Sequence, residues 1–93
     1  MSVTHAIVLV EVERSAMPTF GGILADLEGV HEAWSVTGEW DFVAIVRVAR
    51  HELLAEVITG QLLQLPGVSR TQTLVAFEAF SRHDLDAMFS LGA

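Results

Sequence analysis

Several residue types are missing, and their absence narrows the chemistry available to this chain. There is no cysteine, which excludes disulfides, thiolate nucleophiles and cysteine-ligated zinc. There is also no tyrosine and no G-x-S-x-G sequence, so no constellation typical of nucleophilic catalysis is present. The histidines are scattered without an HExxH spacing, and His83-Asp84-x-Asp86 is the one weak metal-ligand pattern. We therefore assign no catalytic residue, no metal site and no cofactor.

Lysine is missing as well, and this bears on the partners of the chain. Five basic residues, all arginine, oppose 12 acidic residues, which gives a formal net charge of −7. Nucleic-acid-binding proteins use clustered lysine and arginine to displace counterions from phosphate. The longest apolar run near the N-terminus, Ala6 to Val10, follows no cationic segment and is far shorter than a membrane span. We expect a cytoplasmic protein that by itself binds neither nucleic acid nor membrane.

What the chain has in excess is apolar surface. Its 93 residues fit one domain, and 52% of them are hydrophobic, with a mean hydropathy of +0.48. Small domains bury a smaller fraction of their surface than large ones do. Self-association is the natural way to cover the apolar surface that a single domain of this size leaves exposed.

The periodicity of the apolar residues predicts alternating strands and helices. A Gly-Gly pair inside the first helix, Gly21-Gly22, weakens that helix and is expected to admit a close neighbour, and Gly29 is expected to cap its end. Pro66-Gly67 is expected to end the second helix. The predicted elements are a strand at 5–12, a helix from 15 to 29, a β-hairpin of strands 30–37 and 40–48, a helix at 51–65, a strand at 68–77 and a short C-terminal helix at 81–91.

An internal repeat organises these elements. The pattern Gly-x-Leu-x-x-Leu-x-Gly-Val occurs at residues 22–30 and again at 60–68. Two strand-helix-strand copies give βαββαβ, the α+β ferredoxin-like sandwich. Right-handed crossovers put both helices on one face of the four-stranded sheet, which leaves the other, largely apolar face open. We predict an obligate homodimer that buries these open faces together.

The central hairpin turn is the best candidate site. Gly38 can adopt the positive φ that such turns require, and Asp41 can hydrogen-bond local backbone where the second strand begins. Glu39 and Asp41 form a close acidic pair that can share a cation, hold an ammonium group or act as acid and base, and Trp40 can form an aromatic wall beside it. The alternatives are that Asp41 merely caps the hairpin, that Glu39 is solvated and that Trp40 packs between subunits.

Two further groups of side chains near the ends of strands can contact a ligand. Thr71 and Thr73 lie two residues apart and therefore share one side of the last strand, where their hydroxyls can bind a carboxylate or amide. The alternative is that both threonines only reflect β-propensity. Arg47 and Arg70 can neutralise an anionic ligand, but pairing with one of the many carboxylates is the better prediction.

These motifs resemble a known family. The order Val36-Thr37-Gly38-Glu39-Trp40-Asp41, then Leu65-Pro66-Gly67-Val68, then a strand containing Arg70-Thr71-Gln72-Thr73 is similar to the effector-binding domain of the Lrp/AsnC family, also called RAM. The resemblance implies a single domain over residues 1–93, of the dimeric α/β barrel type, whose dimers assemble into octamer-like rings. It also implies that an amino-acid effector binds in clefts between dimers, contacting Gly38, Glu39, Trp40 and Asp41, with Thr71 and Thr73 as further contacts.

Family regulators carry an N-terminal helix-turn-helix domain, whereas this sequence starts at the first strand, so we expect a stand-alone form. Such a form either senses an amino acid by itself or co-assembles with full-length Lrp/AsnC regulators. The alternative from another class is a small dimeric α+β barrel enzyme of the monooxygenase or isomerase type, because the same fold carries both functions.

Overall fold

The computed structural model describes residues 3–78 and residue 80. Six main elements follow one another in this part of the chain. Single-turn 3-10 helices at Arg14–Ala16 and Leu62–Gln64 lie next to the two α-helices. The main elements are β1 (Thr4–Val12), α1 (Met17–Ala25), β2 (Val30–Ser35), β3 (Phe42–Val48), α2 (Leu53–Ile58) and β4 (Val68–Ala76).

The four strands form one sheet in the order β2-β3-β1-β4. Every neighbouring pair is antiparallel, so β1 runs parallel to β2, and β3 runs parallel to β4, with one strand lying between the members of each pair. Each helix therefore connects two parallel, non-adjacent strands, which is the split βαβ arrangement. The ferredoxin-like βαββαβ fold predicted from the internal repeat is confirmed.

Both helices lie on one face of the sheet, and the core forms beneath them. The two central strands place small and β-branched residues on this face, where Ala6, Val8, Val10, Ala44 and Val46 have no solvent-exposed surface. The helix layer contributes Phe20 and Leu24 from α1, Leu54 and Val57 from α2, and Leu62 from the following 3-10 turn. Flat β-branched strand surfaces pack well against long helical side chains, so the two layers interlock.

Helix α1 ends earlier than the apolar spacing predicts. The helix stops at Ala25 with Asp26 as its C-cap, so the expectation that Gly29 caps it is wrong; Gly29 lies three residues further on, with a positive φ of 94°. Phe20 and Leu24 are buried, but Ile23 is 44% exposed. Of the glycine pair, Gly21 does admit a close neighbour, because a Cβ there would meet the Phe42 ring at 3.2 Å. A Cβ on Gly22 would meet nothing within 4 Å, so the expectation is wrong at that position.

The second helix is interrupted, whereas a continuous helix over 51–65 was predicted. α2 stops at Ile58, and a 3-10 turn follows after a break at Gly60 and Gln61. The N–H of Gly60 donates to the carbonyl of Ala55, and a Cβ on Gly60 would lie 2.6 Å from the Glu56 carbonyl oxygen. Glycine therefore permits a tight backbone turn that another residue would obstruct. The apolar stripe of this segment, which comprises Leu54, Val57 and Leu62, continues past the break, because Leu62 is still fully buried.

The strands are slightly shorter than predicted at the central hairpin and at the C-terminal end. β2 ends at Ser35 and β3 begins at Phe42, so a six-residue loop replaces a tight turn. β4 ends at Ala76, one residue before the predicted limit. The C-terminal helix predicted at 81–91 lies outside the described residues.

Candidate functional site

The loop at 36–41 has a defined conformation rather than an open one. The N–H of Val36 donates to the carbonyl of Asp41 at 3.0 Å, which closes the base of the loop. Gly38 adopts a φ of 110°, as predicted, a region that residues with a Cβ rarely adopt. Apart from Gly38 and its two chain neighbours, no atom of the described residues lies within 4 Å of the position of a Cβ on Gly38, so the tip of the loop has open space around it.

Asp41 fastens this loop to the end of β1. Its N–H donates to the carbonyl of Val10 at 3.0 Å, and its carboxylate Oδ2 accepts a hydrogen bond from the N–H of Val12 at 2.9 Å. The expectation that this carboxylate bonds to local backbone is wrong, because Val12 lies 29 residues away in the sequence. Asp41 is thus hydrogen-bonded both to β1 and, through its carbonyl, to Val36 at the base of the loop, one residue before β3 begins at Phe42.

Arg70 lies on β4, on the opposite side of β1 from β3, and contacts the loop from there. Its Nη2 lies 3.3 Å from Glu11 Oε2 and 3.4 Å from Glu39 Oε2, and its guanidinium stacks 4.2 Å from the centroid of the Trp40 ring. The hydrogen bond to Glu11 is the main cause that raises the pKa of Arg70 above its ordinary value. The expected pairing of Arg70 with carboxylates is confirmed, whereas Arg47 instead contacts His31 Nε2 at 3.2 Å.

An open cleft of about 410 Å³ lies beside Asp41, next to the fastened loop. Of the residues that line this cleft, the sequence predicted only Asp41 as a site residue. The others lie at the end of β1, in the 3-10 turn that follows and at the start of α1. The signal for Glu11 was available, because antiparallel pairing of β1 with β3 and β4 brings the end of β1 next to both Phe42 and Arg70. The lining residues are Glu11, Val12, Arg14, Met17 and Asp41.

The remaining predicted site residues do not join this cluster. Thr71 is paired with Val10 and Thr73 with Val8, both buried residues of the covered face, so the two threonines lie on the helix side of β4. Arg70, one residue earlier, lies on the opposite side with Glu11. The structure thus brings together Glu39, Trp40 and Asp41, at the loop that Gly38 shapes, and places the threonines elsewhere.

Among the described residues, the face of the sheet opposite the helices has no covering layer, as predicted. We call this the open face. Cross-strand pairs of apolar residues run along it, and several of them are substantially exposed: Trp34 by 57%, Leu74 by 45% and Ile7 by 36%. Arg70, Glu11 and Glu39 lie at one end of this face, so the acidic loop borders the apolar surface. The apolar members of the open face are Trp34, Val43, Ile45, Ile7, Leu9, Leu74 and Ala76.

Metal ligands are not clustered in the described part of the chain. Among residues 3–78 and 80, no three histidine, aspartate or glutamate side chains come together in a way that could hold a metal ion. Within the same residues, no helix is both long enough and apolar enough to cross a membrane.

The chain is similar to known proteins in both sequence and structure. Residues 5–85 match the family model described as the Lrp/AsnC ligand binding domain. The chain is also similar to TTHA0845 of Thermus thermophilus, whose crystal structure superposes with a TM-score of 0.79 at 42% identity, covering 85% of this chain and 99% of that one.

Two curated relatives are named as regulators, one of them as a transcriptional regulator. The HTH-type transcriptional regulator PF0250 of Pyrococcus furiosus is 37% identical over 54 residues, which are 58% of this chain and 36% of the regulator. The leucine-responsive regulatory protein of Haemophilus influenzae is 32% identical over 72 residues, which are 77% of this chain and 43% of that protein. The chain thus spans less than half the length of these relatives.

Proposed function

This chain belongs to the Lrp/AsnC ligand-binding domain family, and we propose that it is a non-enzymatic regulatory module that binds an amino-acid effector where copies of the chain meet. In this proposal residues 1–93 form one effector-binding domain. The names of the curated relatives favour regulation of transcription over catalysis.

The observation that carries the proposal is the fastened acidic loop. Asp41 is fixed to β1 by two hydrogen bonds, and Glu39 is held near Arg70, so the loop presents carboxylates and backbone groups in a set geometry beside a cleft. Preorganised polar groups lose little conformational entropy when a ligand binds, which favours affinity. A free amino acid needs acceptors for its ammonium group and donors for its carboxylate, and this loop with its neighbours supplies both.

The open face supports the oligomeric part of the proposal. Trp34, Ile7 and Leu74 expose apolar surface on three different strands of the sheet, and an apolar patch of this kind marks an interaction surface. A second copy is the occupant we propose, because a two-fold axis pairs the patch with itself. The acidic loop borders the open face, so assembly of such dimers into a ring brings the loop close to neighbouring copies.

Effector binding is tested by thermal unfolding of the purified chain in the presence of each standard amino acid, with L-leucine first because of the name of one relative. A ligand that binds only the folded state adds about 2.7 kcal/mol to the free energy of unfolding at 100 times its dissociation constant. Glu39→Gln should weaken this stabilisation. Glu52→Gln, which removes a carboxylate paired only with Arg50 among the described residues, is the matched control. If none of the amino acids stabilises the chain, the effector proposal is wrong.

Assembly is tested by light scattering, with and without amino acid. A dimer or larger oligomer at micromolar concentration supports the proposal, and a monomer contradicts it. Full-length Lrp/AsnC regulators are the partners that we propose for co-assembly, and co-purification of tagged and untagged chains tests this directly.

A further inference from the structure

The charged side chains around the cleft at Asp41 differ in whether they already have a partner within the protein. Glu11 is paired with Arg70, and one oxygen of Asp41 accepts the N–H of Val12. Arg14 also lines the cleft, yet it forms no ion pair and no side-chain hydrogen bond with any described residue. The cleft therefore combines two carboxylates that already have protein partners with one guanidinium that has none among the described residues.

We propose that Arg14 binds the α-carboxylate of the effector and thereby selects amino acids over simple amines. This assignment rests on the proposed function and specifies which side chains of the chain carry it. The ligand ammonium group faces the Asp41 oxygen that does not accept the Val12 N–H, and the ligand side chain lies against Met17 and Val12. A guanidinium suits this role because its planar N–H groups bind a carboxylate in two parallel hydrogen bonds.

The size and position of the cleft agree with this assignment. Its volume of about 410 Å³ falls in the lower part of the range of roughly 300–1,000 Å³ that is typical of small-molecule sites. Arg14 belongs to the 3-10 turn that directly precedes α1, and the N–H of Glu13 donates to the Gly67 carbonyl at 2.8 Å, which holds the backbone of this segment against the start of β4. Arg14 thus extends from an anchored backbone.

The experiment compares ligands as well as variants. Binding of the standard L-amino acids and of their α-amides is measured by calorimetry on wild type, Arg14→Gln and Arg50→Gln. The amide keeps the ammonium group and the side chain but has no carboxylate charge. Arg50 is also an exposed arginine, but it is paired with Glu52 and does not line the cleft, so Arg50→Gln is the matched control.

A charge-assisted pair corresponds to about a tenfold change in affinity or more. We expect Arg14→Gln to weaken binding of the amino acid by that factor, and wild type to prefer the amino acid over its amide by a similar factor. Arg14→Gln should lose this preference, Arg14→Lys should keep part of it, and Arg50→Gln should behave like wild type. Circular dichroism checks that each variant is folded.

Two results would overturn the assignment of Arg14, and only one of them also contradicts the proposed function. If an amino acid binds and Arg14→Gln retains both the affinity and the preference over the amide, Arg14 is not the carboxylate anchor, although the proposed function stands. If no amino acid binds wild type, the proposed function itself is wrong, and the assignment of Arg14 falls with it.

Discussion

The two faces of the sheet are built from the same strands and both carry apolar residues at their centre, but they meet different surroundings. Val8 on the covered face is completely buried, whereas Ile7, its neighbour in β1, is 36% exposed on the open face. The same contrast separates Ala44 and Val46 from Ile45 in β3, because successive strand residues alternate between faces. Burial on one face already supplies a complete core within the chain. The apolar residues of the other face therefore need a different explanation, and contact with a second copy is the one that we propose.

The largest effect is expected from a charge on the covered face. Val8→Asp places a carboxylate where no solvent reaches and no basic side chain of the core can pair with it. An unpaired buried charge costs roughly 3–5 kcal/mol, a large part of the stability of a small domain. We expect the variant to be unfolded or nearly so by circular dichroism. A cooperative thermal transition close to that of wild type would mean that this face is not the core.

The matched change on the open face should act on assembly instead. Ile7→Asp introduces the same carboxylate one residue away, at a site that is already 36% exposed in the single chain. The proposed dimer then has a charge in its apolar interface, so light scattering should give the mass of a monomer that retains its helices and strands. An unchanged oligomer would show that copies associate through another surface.

A third test compares two glycines, one against the core and one facing solvent. Gly29→Ala introduces a Cβ at a φ of 94° and only 2.6 Å from Val57 Cγ2, so backbone strain and overpacking together should lower the free energy of unfolding by roughly 2–4 kcal/mol. Gly22→Ala meets nothing within 4 Å in α1 and should raise it by up to about 1 kcal/mol. Chemical denaturation measures both values, and equal effects would contradict the predicted asymmetry.

A smaller loss of stability than that of Gly29→Ala is expected at the acidic loop, at the edge of both faces. Asp41→Ala removes the acceptor of the Val12 N–H and should cost about 1–2 kcal/mol. Asp41→Asn keeps a carbonyl acceptor and should cost less. Amide hydrogen exchange at Val12 provides the direct measurement, since its protection should fall in Asp41→Ala. Unchanged protection would mean that the carboxylate does not hold the loop on β1.

Much of the fold was predictable because its signals are local or repeated. The repeated pattern that ends in Gly-Val placed the starts of β2 and β4 correctly, and Gly29 and Gly67 just before them have positive φ. Helix lengths were not predictable to the same degree. The apolar stripe continues through Leu62, but the break at Gly60 depends on how tightly the backbone passes the Glu56 carbonyl, which is a matter of packing.

The site was predictable only in part, for a similar reason. The acidic loop could be predicted as a cluster because three of its residues are consecutive in the sequence: Glu39, Trp40 and Asp41. Glu11 and Arg70 join them only through strand pairing across large distances in the chain, and Thr71 and Thr73 share a strand with Arg70 but lie on the other face. The alternation of strand residues was visible in the sequence, but it could not identify which alternate set meets the helices.

The sequence by itself determined the βαββαβ order, the apolar character of both strand faces and the glycine of the central loop, because these follow from periodicity, repetition and backbone sterics. Only the tertiary structure decided which face carries the helices and which residues surround the acidic loop. Those choices depend on strand register, where a shift of one residue moves every side chain to the opposite face, and register is fixed by contacts between segments far apart in the chain.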